Sequence, residues 1–300
     1  MILMSKTTKD KIKFNKSFYP KYDILSIREK LFLRTCCYFP PKKKRAPSKE
    51  NILDINKYKS LLERAYGSAF PKRIINKIIL DHGCGEGGFS IAMVDLQPKL
   101  IVGLDKYSNI TFANQIIKDH SYKNIRLIND DIRSQDTNQY DYTISHDSFE
   151  HFNEPEIELE QMIRVTKIGG HILIKFGPTW KSPWGRHMSG TIRRDRPWVH
   201  LFFSERTIMR CYSVYHNDNK IKTMYAQKDG GLNKMTVSKF LSIISNRNDI
   251  IIRKLIIFPI FNKLSILANL PLLRDYFGGA ISIELEKINS SLITPNGIRR

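Results

Sequence analysis

Residues 78–90 read IILDHGCGEGGFS, an apolar run entering a turn where Gly83, Gly85 and Gly88 stand at G-x-G-x-x-G spacing. Such a run is read as a strand that turns tightly into a helix, with glycine where the backbone must come close to a ligand. The same spacing cradles a dinucleotide pyrophosphate, so the loop alone does not choose its ligand. Asp81 stands directly before the turn, and its carboxylate is expected to face the middle of whatever binds there. A dinucleotide would bring phosphate charge to that point, and like charges ~4 Å apart repel by ~1 kcal/mol even in bulk water. A ligand carrying positive charge there would be favoured.

Outward from this loop, from Lys72, short apolar runs alternate with amphipathic stretches, the pattern of a parallel sheet with crossover helices. Strands are predicted at 77–80, 100–104, 125–128, 142–145 and 171–176, with helices at 88–96, 108–120 and 156–165. Ser108 is placed as the cap of a helix beginning at Asn109, Pro155 in a first turn, and Gly169 with Gly170 at a left-handed exit from helix to strand. After Phe176 the rhythm breaks through GPTWKSPWGRHMSGTIRRDRPWVHLFFSE and then returns, with a helix at 236–245 and strands at 249–257 and 280–286. The expected fold is therefore α/β: a doubly wound, mostly parallel, seven-stranded Rossmann-like sheet with helices on both faces and an insertion after the fifth strand. Residues 1–50 are read as a basic N-terminal extension and 51–300 as the main domain. Within it, 177–232 is the insertion and candidate substrate lid, and 258–279 an apolar helical insertion.

Composition sets limits on this reading. Three hundred residues with 41% apolar content can bury a proper core. The four cysteines show neither a disulfide framework nor paired metal-ligand spacing, so a reducing, cytoplasmic setting and no metal are expected. The opening MILMSKTTKDKIKF carries charge where a secretion signal needs an apolar stretch. The apolar segment 255–273 is interrupted by Pro259, Asn262, Lys263, Asn269 and Pro271, so no spanning helix is predicted.

The net charge of +20 is unevenly placed. Residues 1–60 hold 16 Lys+Arg against 5 Asp+Glu, residues 74–176 hold 10 against 15, and residues 177–300 hold 20 against 8. Basic flanks would concentrate an anionic partner: nucleic acid, acidic membrane or a phosphorylated small molecule. PPKKKRAPSK at 40–49 resembles a nuclear-import signal and is read instead as a solvated linker.

Two further acids follow the glycine loop at informative places. Asp105 ends the second strand 20 residues after Gly85, where a carboxylate can accept both ribose hydroxyls, and Lys106 stands beside it. The third strand ends in INDDI, where Asp131 can accept from an adenine amino group while the backbone N–H of Ile132 reaches a ring nitrogen. Together these residues resemble the class I S-adenosylmethionine-dependent methyltransferases over residues 74–176. DHGCGEGG at 81–88 matches the family's D-x-G-C-G-x-G loop, and YDYTISHDSFEHF at 140–152 is similar to the fourth-strand motif of its broad small-molecule branch. The resemblance implies S-adenosyl-L-methionine as cofactor, held by Asp81, Gly83, Cys84, Gly85, Asp105, Lys106, Asp131, Ile132 and His146. His146 would lie beside the sulfonium end, and Cys84 is read as a small, tightly packed turn residue rather than a nucleophile.

Transfer of a methyl group from a sulfonium is an in-line displacement in which positioning can supply most of the catalysis. If the acceptor is a hydroxyl, a base helps, and His151, His187 and His200 are the candidates. His187 and His200 lie in SPWGRH and RPWVH, segments that resemble ones found in bacterial methyltransferases. Trp180, Trp184 and Trp198 could stack on an acceptor, and Arg186, Arg193, Arg194 and Arg196 could bind its phosphate or carboxylate. The expected acceptor is a small or lipid-linked, anionic molecule such as a sugar intermediate. RNA methylation and a non-catalytic membrane-surface or scaffold role are the alternatives. SHDS stands where an N-P-P-Y-type amino-methylating motif would be, which disfavours nucleic-acid bases, while 255–273 with Arg253, Lys254, Lys263 and Arg274 leaves peripheral membrane contact open.

Overall fold

An apolar strand buried on both faces needs strand neighbours on each side and helices above and below it. Ile78–His82 meets that condition, being buried from Ile79 onward. In the computed structural model the strands are β1 (Ile78–His82), β2 (Leu100–Leu104), β3 (Ile125–Ile128), β4 (Tyr140–His146), β5 (Thr166–Phe176), β6 (Ile250–Pro259) and β7 (Gly278–Lys287). The structure describes residues 16–37, 55–188, 192, 195–227, 230–289, 293–294 and 297–298. The basic run at 40–49, Arg193 and Arg194 lie outside the described residues.

The strands form one sheet in the order β3-β2-β1-β4-β5-β7-β6. β1 to β5 pair in parallel, while β7 runs antiparallel to both β5 and β6. This is the predicted seven-stranded, doubly wound sheet. The order reverses between β1 and β4, which opens a crevice at their carboxyl ends.

Alternation along the strands divides the core. Ile79, Ile101, Ile144 and Leu173 meet Tyr66, Phe70 and Phe89 on one face. Leu80, Val102, Ile172 and Ile174 meet Phe149, Leu159 and Phe240 on the other. A one-residue slip of any of these strands would exchange its two faces, so the register is held by burial on both sides.

Three local expectations need correction. The helix after β2 begins at Thr111, not Asn109, because the Ser108 N–H donates to the Asp105 carboxylate at 2.8 Å and Asn109 Oδ1 accepts the Thr111 N–H. Gly169 and Gly170 lie inside β5, not before it. The pairing of β4 jumps from Thr166 to His171, and Gly169 takes the left-handed conformation (φ +74°) that this irregularity requires. The segment 258–279 is only partly helical. β6 continues to Pro259 and β7 starts at Gly278, since Phe258 and Pro259 still pair with Ala280 and Gly278, leaving two short helices, Ser265–Asn269 and Arg274–Phe277. The Ile55–Tyr66 helix, not among the predicted elements, places Leu62, Ala65 and Tyr66 in the core.

The chain separates into two compact units, residues 45–187 with 228–300, which carry the sheet, and residues 1–44 with 188–227. In the second, the Ile27–Cys36 helix starts in a capping box between Ser26 and Glu29. Glu29 then accepts from Arg210 Nε at 2.7 Å on the Glu205–Tyr215 helix, and Phe32 packs edge-on against Phe203 at 5.2 Å. The stretch 188–227, read from sequence as most of a lid, thus shares a hydrophobic core with residues near the N-terminus.

Candidate active site

The loop after β1 is built around three left-handed glycines, Gly83 (φ +76°), Gly85 (φ +56°) and Gly87 (φ +84°). Gly83 and Cys84 donate their N–H groups to the Leu104 carbonyl at 2.8 and 3.0 Å, which ties the loop to the end of β2. A side chain at Gly83 would collide with Ser148, whose Cβ lies 2.6 Å from the position of the added carbon. The Ser148 hydroxyl donates to the Gly83 carbonyl at 2.6 Å, joining this loop to the one after β4. At Gly85 an added carbon would meet nothing within 4 Å, so here the backbone borders open space.

Asp81 is 1% exposed and accepts the Ser90 hydroxyl from the first turn of the Gly88–Val94 helix. Burial pushes its carboxyl up to about 7; the Ser90 hydrogen bond opposes this and the nearby Asp105 charge adds to it. Asp105 accepts three backbone N–H groups, Tyr107 and Ser108 on Oδ1 and Gly85 on Oδ2, at 2.8–3.0 Å. With about two lone pairs per oxygen, one acceptor site is left, on Oδ2. Cys84 is buried, and its thiol is held far above the usual range by that burial and by the charges of Asp81 and Asp105. It stays protonated.

At the end of β3, Asp131 caps the Ile132–Ser134 turn and takes the Arg133 guanidinium at 2.9 Å and Lys106 Nζ at 3.5 Å. Although desolvation opposes it, the backbone N–H and guanidinium of Arg133 hold this carboxyl below its usual range. Lys106 is exposed and Ile132 fully buried. At the end of β4, His146 packs on Phe89 with ring centroids 4.4 Å apart and the rings tilted by 31°, and its Nδ1 lies 3.2 Å from the Tyr66 hydroxyl. Burial lowers its pKa to about 4, so the ring is neutral, and its Nε2 lies 3.5 Å from Asp147 Oδ2. Tyr66, Phe89 and Ser148 escaped the sequence reading. The helical spacing of Tyr58, Leu62, Ala65 and Tyr66 was the available signal for the first of them.

Among the three candidate bases, the structure brings His151 and His187 together, with ring centroids 5.5 Å apart and nearly perpendicular. Glu150, His151 and His187 place one ligand-type atom each within 4.8 Å of one another. Glu150 is 3% exposed, and burial, reinforced by Asp147, raises its carboxyl to about 8. His200 belongs to the other unit, buried in the Val199–Phe202 helix that starts at left-handed Trp198. Of the proposed acceptor-binding groups, Arg186 is fully buried, Trp180 carries Lys234 over its ring at 5.6 Å, and Arg196 Nε donates to Thr35 O at 3.4 Å.

In this doubly wound α/β fold the ligand crevice lies at the switch between β1 and β4. Residues 75–179 match the family model described as a methyltransferase domain. No curated protein matches the chain. The fold is similar to the S-adenosylmethionine-dependent methyltransferase of Mesorhizobium loti, at 16% identity over 71% of this chain and 92% of that one, with a TM-score of 0.47. It is also similar to the YcgJ protein of Bacillus subtilis, at 12% identity over 78% and 99%, TM-score 0.48. A third likeness is to the magnesium protoporphyrin IX methyltransferase of Synechocystis with bound S-adenosylhomocysteine, at 13% identity over 82% and 90%, TM-score 0.48. The family-model match covers β1 to β5 with the glycine loop, the same stretch over which the sequence resembles class I S-adenosylmethionine-dependent methyltransferases. S-adenosyl-L-methionine is the cofactor this resemblance implies. The crevice fits such a group in one respect, the open space that borders the Gly85 backbone.

Proposed function

We propose that the enzyme methylates a small-molecule or lipid-linked acceptor, and that the cofactor lies over Gly83, Cys84 and Gly85 between the ends of β1, β2 and β4. The cofactor supplies a methyl group on a sulfonium, already activated for displacement. The chain's part is then to hold, orient and exclude water. The backbone at Gly85 lines the open space, Asp105 Oδ2 takes one ribose hydroxyl, and Asp131, held by Arg133, reads the adenine edge with the Ile132 N–H through the Oδ2 site that exposed Lys106 gives up. Buried Asp81 lies beneath the loop, where a cationic ligand would favour its ionised form, and neutral His146 stands at the sulfonium end. The observation that carries this reading is the triple grip of Asp105 on Gly85, Tyr107 and Ser108, which places its one remaining acceptor site beside the open space at Gly85.

Calorimetric titration of S-adenosylhomocysteine into the full chain and into Asp105→Asn tests it. The amide keeps one acceptor oxygen but loses the charge, and we expect affinity to fall about tenfold or more, near 1.4 kcal/mol or above, with the fold retained. Equal affinity in the two proteins would refute the assignment.

A lipid-linked acceptor is favoured by one surface. Ile266 and Leu272 are 74% and 88% exposed on the short helical segment between β6 and β7, with Leu264 and Leu270 also exposed and Lys263 adjacent. Among the described residues no helix is long and apolar enough to cross a membrane. An apolar ridge beside a basic residue suits contact with the surface of an acidic bilayer.

A further inference from the structure

We propose that Glu150, His151 and His187 bind one divalent first-row transition-metal ion at the carboxyl edge of the sheet, beside the methyl-transfer site. Among the described residues they form a group of three whose ligand atoms all lie within 4.8 Å of one another. Ligands of a tetrahedral ion sit about 3.3 Å apart, so closing on a metal takes small rotations of side chains, not a change of fold.

The hydrogen bonds of the two histidines determine which nitrogens can ligate. His151 Nδ1 lies 3.0 Å from the Gly231 carbonyl, and His187 Nε2 lies 2.7 Å from the Pro178 carbonyl. A carbonyl oxygen only accepts, so each of these nitrogens carries the proton. In the neutral rings the lone pairs are then on His151 Nε2 and His187 Nδ1. An imidazole that donates its other N–H to a backbone carbonyl is the usual support of a metal-binding histidine. The ring arrangement agrees, since two imidazoles on one tetrahedral ion have centroids about 5 Å apart, against 5.5 Å here.

The carboxylate supplies the independent observation. Glu150 Oε1 accepts the Gly177 N–H at 3.3 Å, whereas its buried Oε2 has no hydrogen-bond partner. A buried carboxyl oxygen without a partner is costly whether or not it is protonated, and a cation that displaces the proton is one way to satisfy it. Two imidazoles and one carboxylate suit zinc, iron, cobalt or manganese, whereas magnesium and calcium prefer all-oxygen shells. Three protein ligands leave positions open. Resting on the methyl-transfer reading, those positions would take an oxygen of the acceptor. The acceptor hydroxyl then gives its proton to solvent, its oxygen gains the methyl group, and the sulfonium becomes a neutral thioether.

The test uses the untagged full chain, stripped with chelator and dialysed against micromolar zinc or cobalt, with bound metal measured by elemental analysis. We expect one ion per chain, and at least about a 100-fold loss of affinity in His151→Ala and in His187→Ala, with His120→Ala unchanged. The cobalt-loaded chain should show visible d–d bands without the near-ultraviolet band of thiolate ligation, and acetohydroxamate, an oxygen-donor probe, should shift those bands. Substoichiometric uptake by the natural chain, a thiolate band, or full uptake by both histidine variants would overturn the site. Unshifted bands would overturn its open positions. Circular dichroism and S-adenosylhomocysteine affinity, measured on the same samples, check the fold and report separately on the methyl-transfer reading. Should a variant not fold, stoichiometry and spectrum of the natural chain still decide.

Discussion

Asp81 illustrates how a residue's chemistry can be inverted by its surroundings. In sequence it is a charge aimed at a ligand; in the fold it is a buried carboxyl whose pKa stands near 7. The unfolded value is close to 3.9, so between about pH 4 and pH 7 the folded state holds a proton that the unfolded state has lost. This residue's contribution to stability is therefore complete below pH 4 and declines as pH rises through 7. Asp81→Asn should make the ligand-free protein more stable above pH 7 and flatten that decline, which urea unfolding at pH 5 and pH 8 would reveal. A cationic ligand beside the carboxyl should favour its ionised form. S-adenosylmethionine binding should thus release part of a proton at pH 7, seen as a dependence of calorimetric heat on the ionisation enthalpy of the buffer. Gly83 makes a second case. Gly83→Ala adds a carbon where Ser148 stands, at a left-handed backbone position, and should cost about 1–3 kcal/mol of stability.

Between elements, the antiparallel joint of β5 and β7 depends on one buried acid. Glu284 of β7 is gripped by Arg73, Nη1 lying 3.0 Å from Oε2, and by His171 of β5 at 2.9 Å. Burial alone would raise its pKa, but His171 and Arg73 outweigh it and hold the carboxyl at about 2. Here the sign is opposite to that of Asp81. Stabilisation is complete above the unfolded pKa of about 4.3 and is lost as pH falls toward 2. Glu284→Gln should cost roughly 3 kcal/mol at pH 7 and little at pH 2, where denaturant midpoints of the two proteins should converge.

For the whole molecule, the separate placement of charge and exposed apolar surface yields a binding prediction. Full-length protein should sediment with vesicles containing acidic phospholipid, less with neutral ones, and Ile266→Asp/Leu272→Asp should lose most of that association. Retained association in the double variant would exclude this ridge as the contact. Loss of association on raising salt alone, with the ridge intact, would assign the contact to the basic surface.

The order of strands and helices from Lys77 to Phe176 was legible in the sequence because burial on both faces and crossover helices impose periodicities of two and 3.6 on a chain read locally. The glycine loop and the acids at 81, 105 and 131 were legible for a related reason. Tight turns and strand ends restrict which residues can stand there. What the sequence left undetermined were partnerships between distant positions. That Glu150 and His151 meet His187 and that His146 meets Tyr66 follow only once the sheet is closed and its loops are packed, and that 16–37 shares a core with 195–227 only once the helices of that separate unit pack. The same holds for protonation. Asp81 and Glu284 are both acids on apolar strands, yet one is driven toward neutrality by desolvation and the other held ionised by Arg73 and His171, and only tertiary structure decides which surroundings each receives.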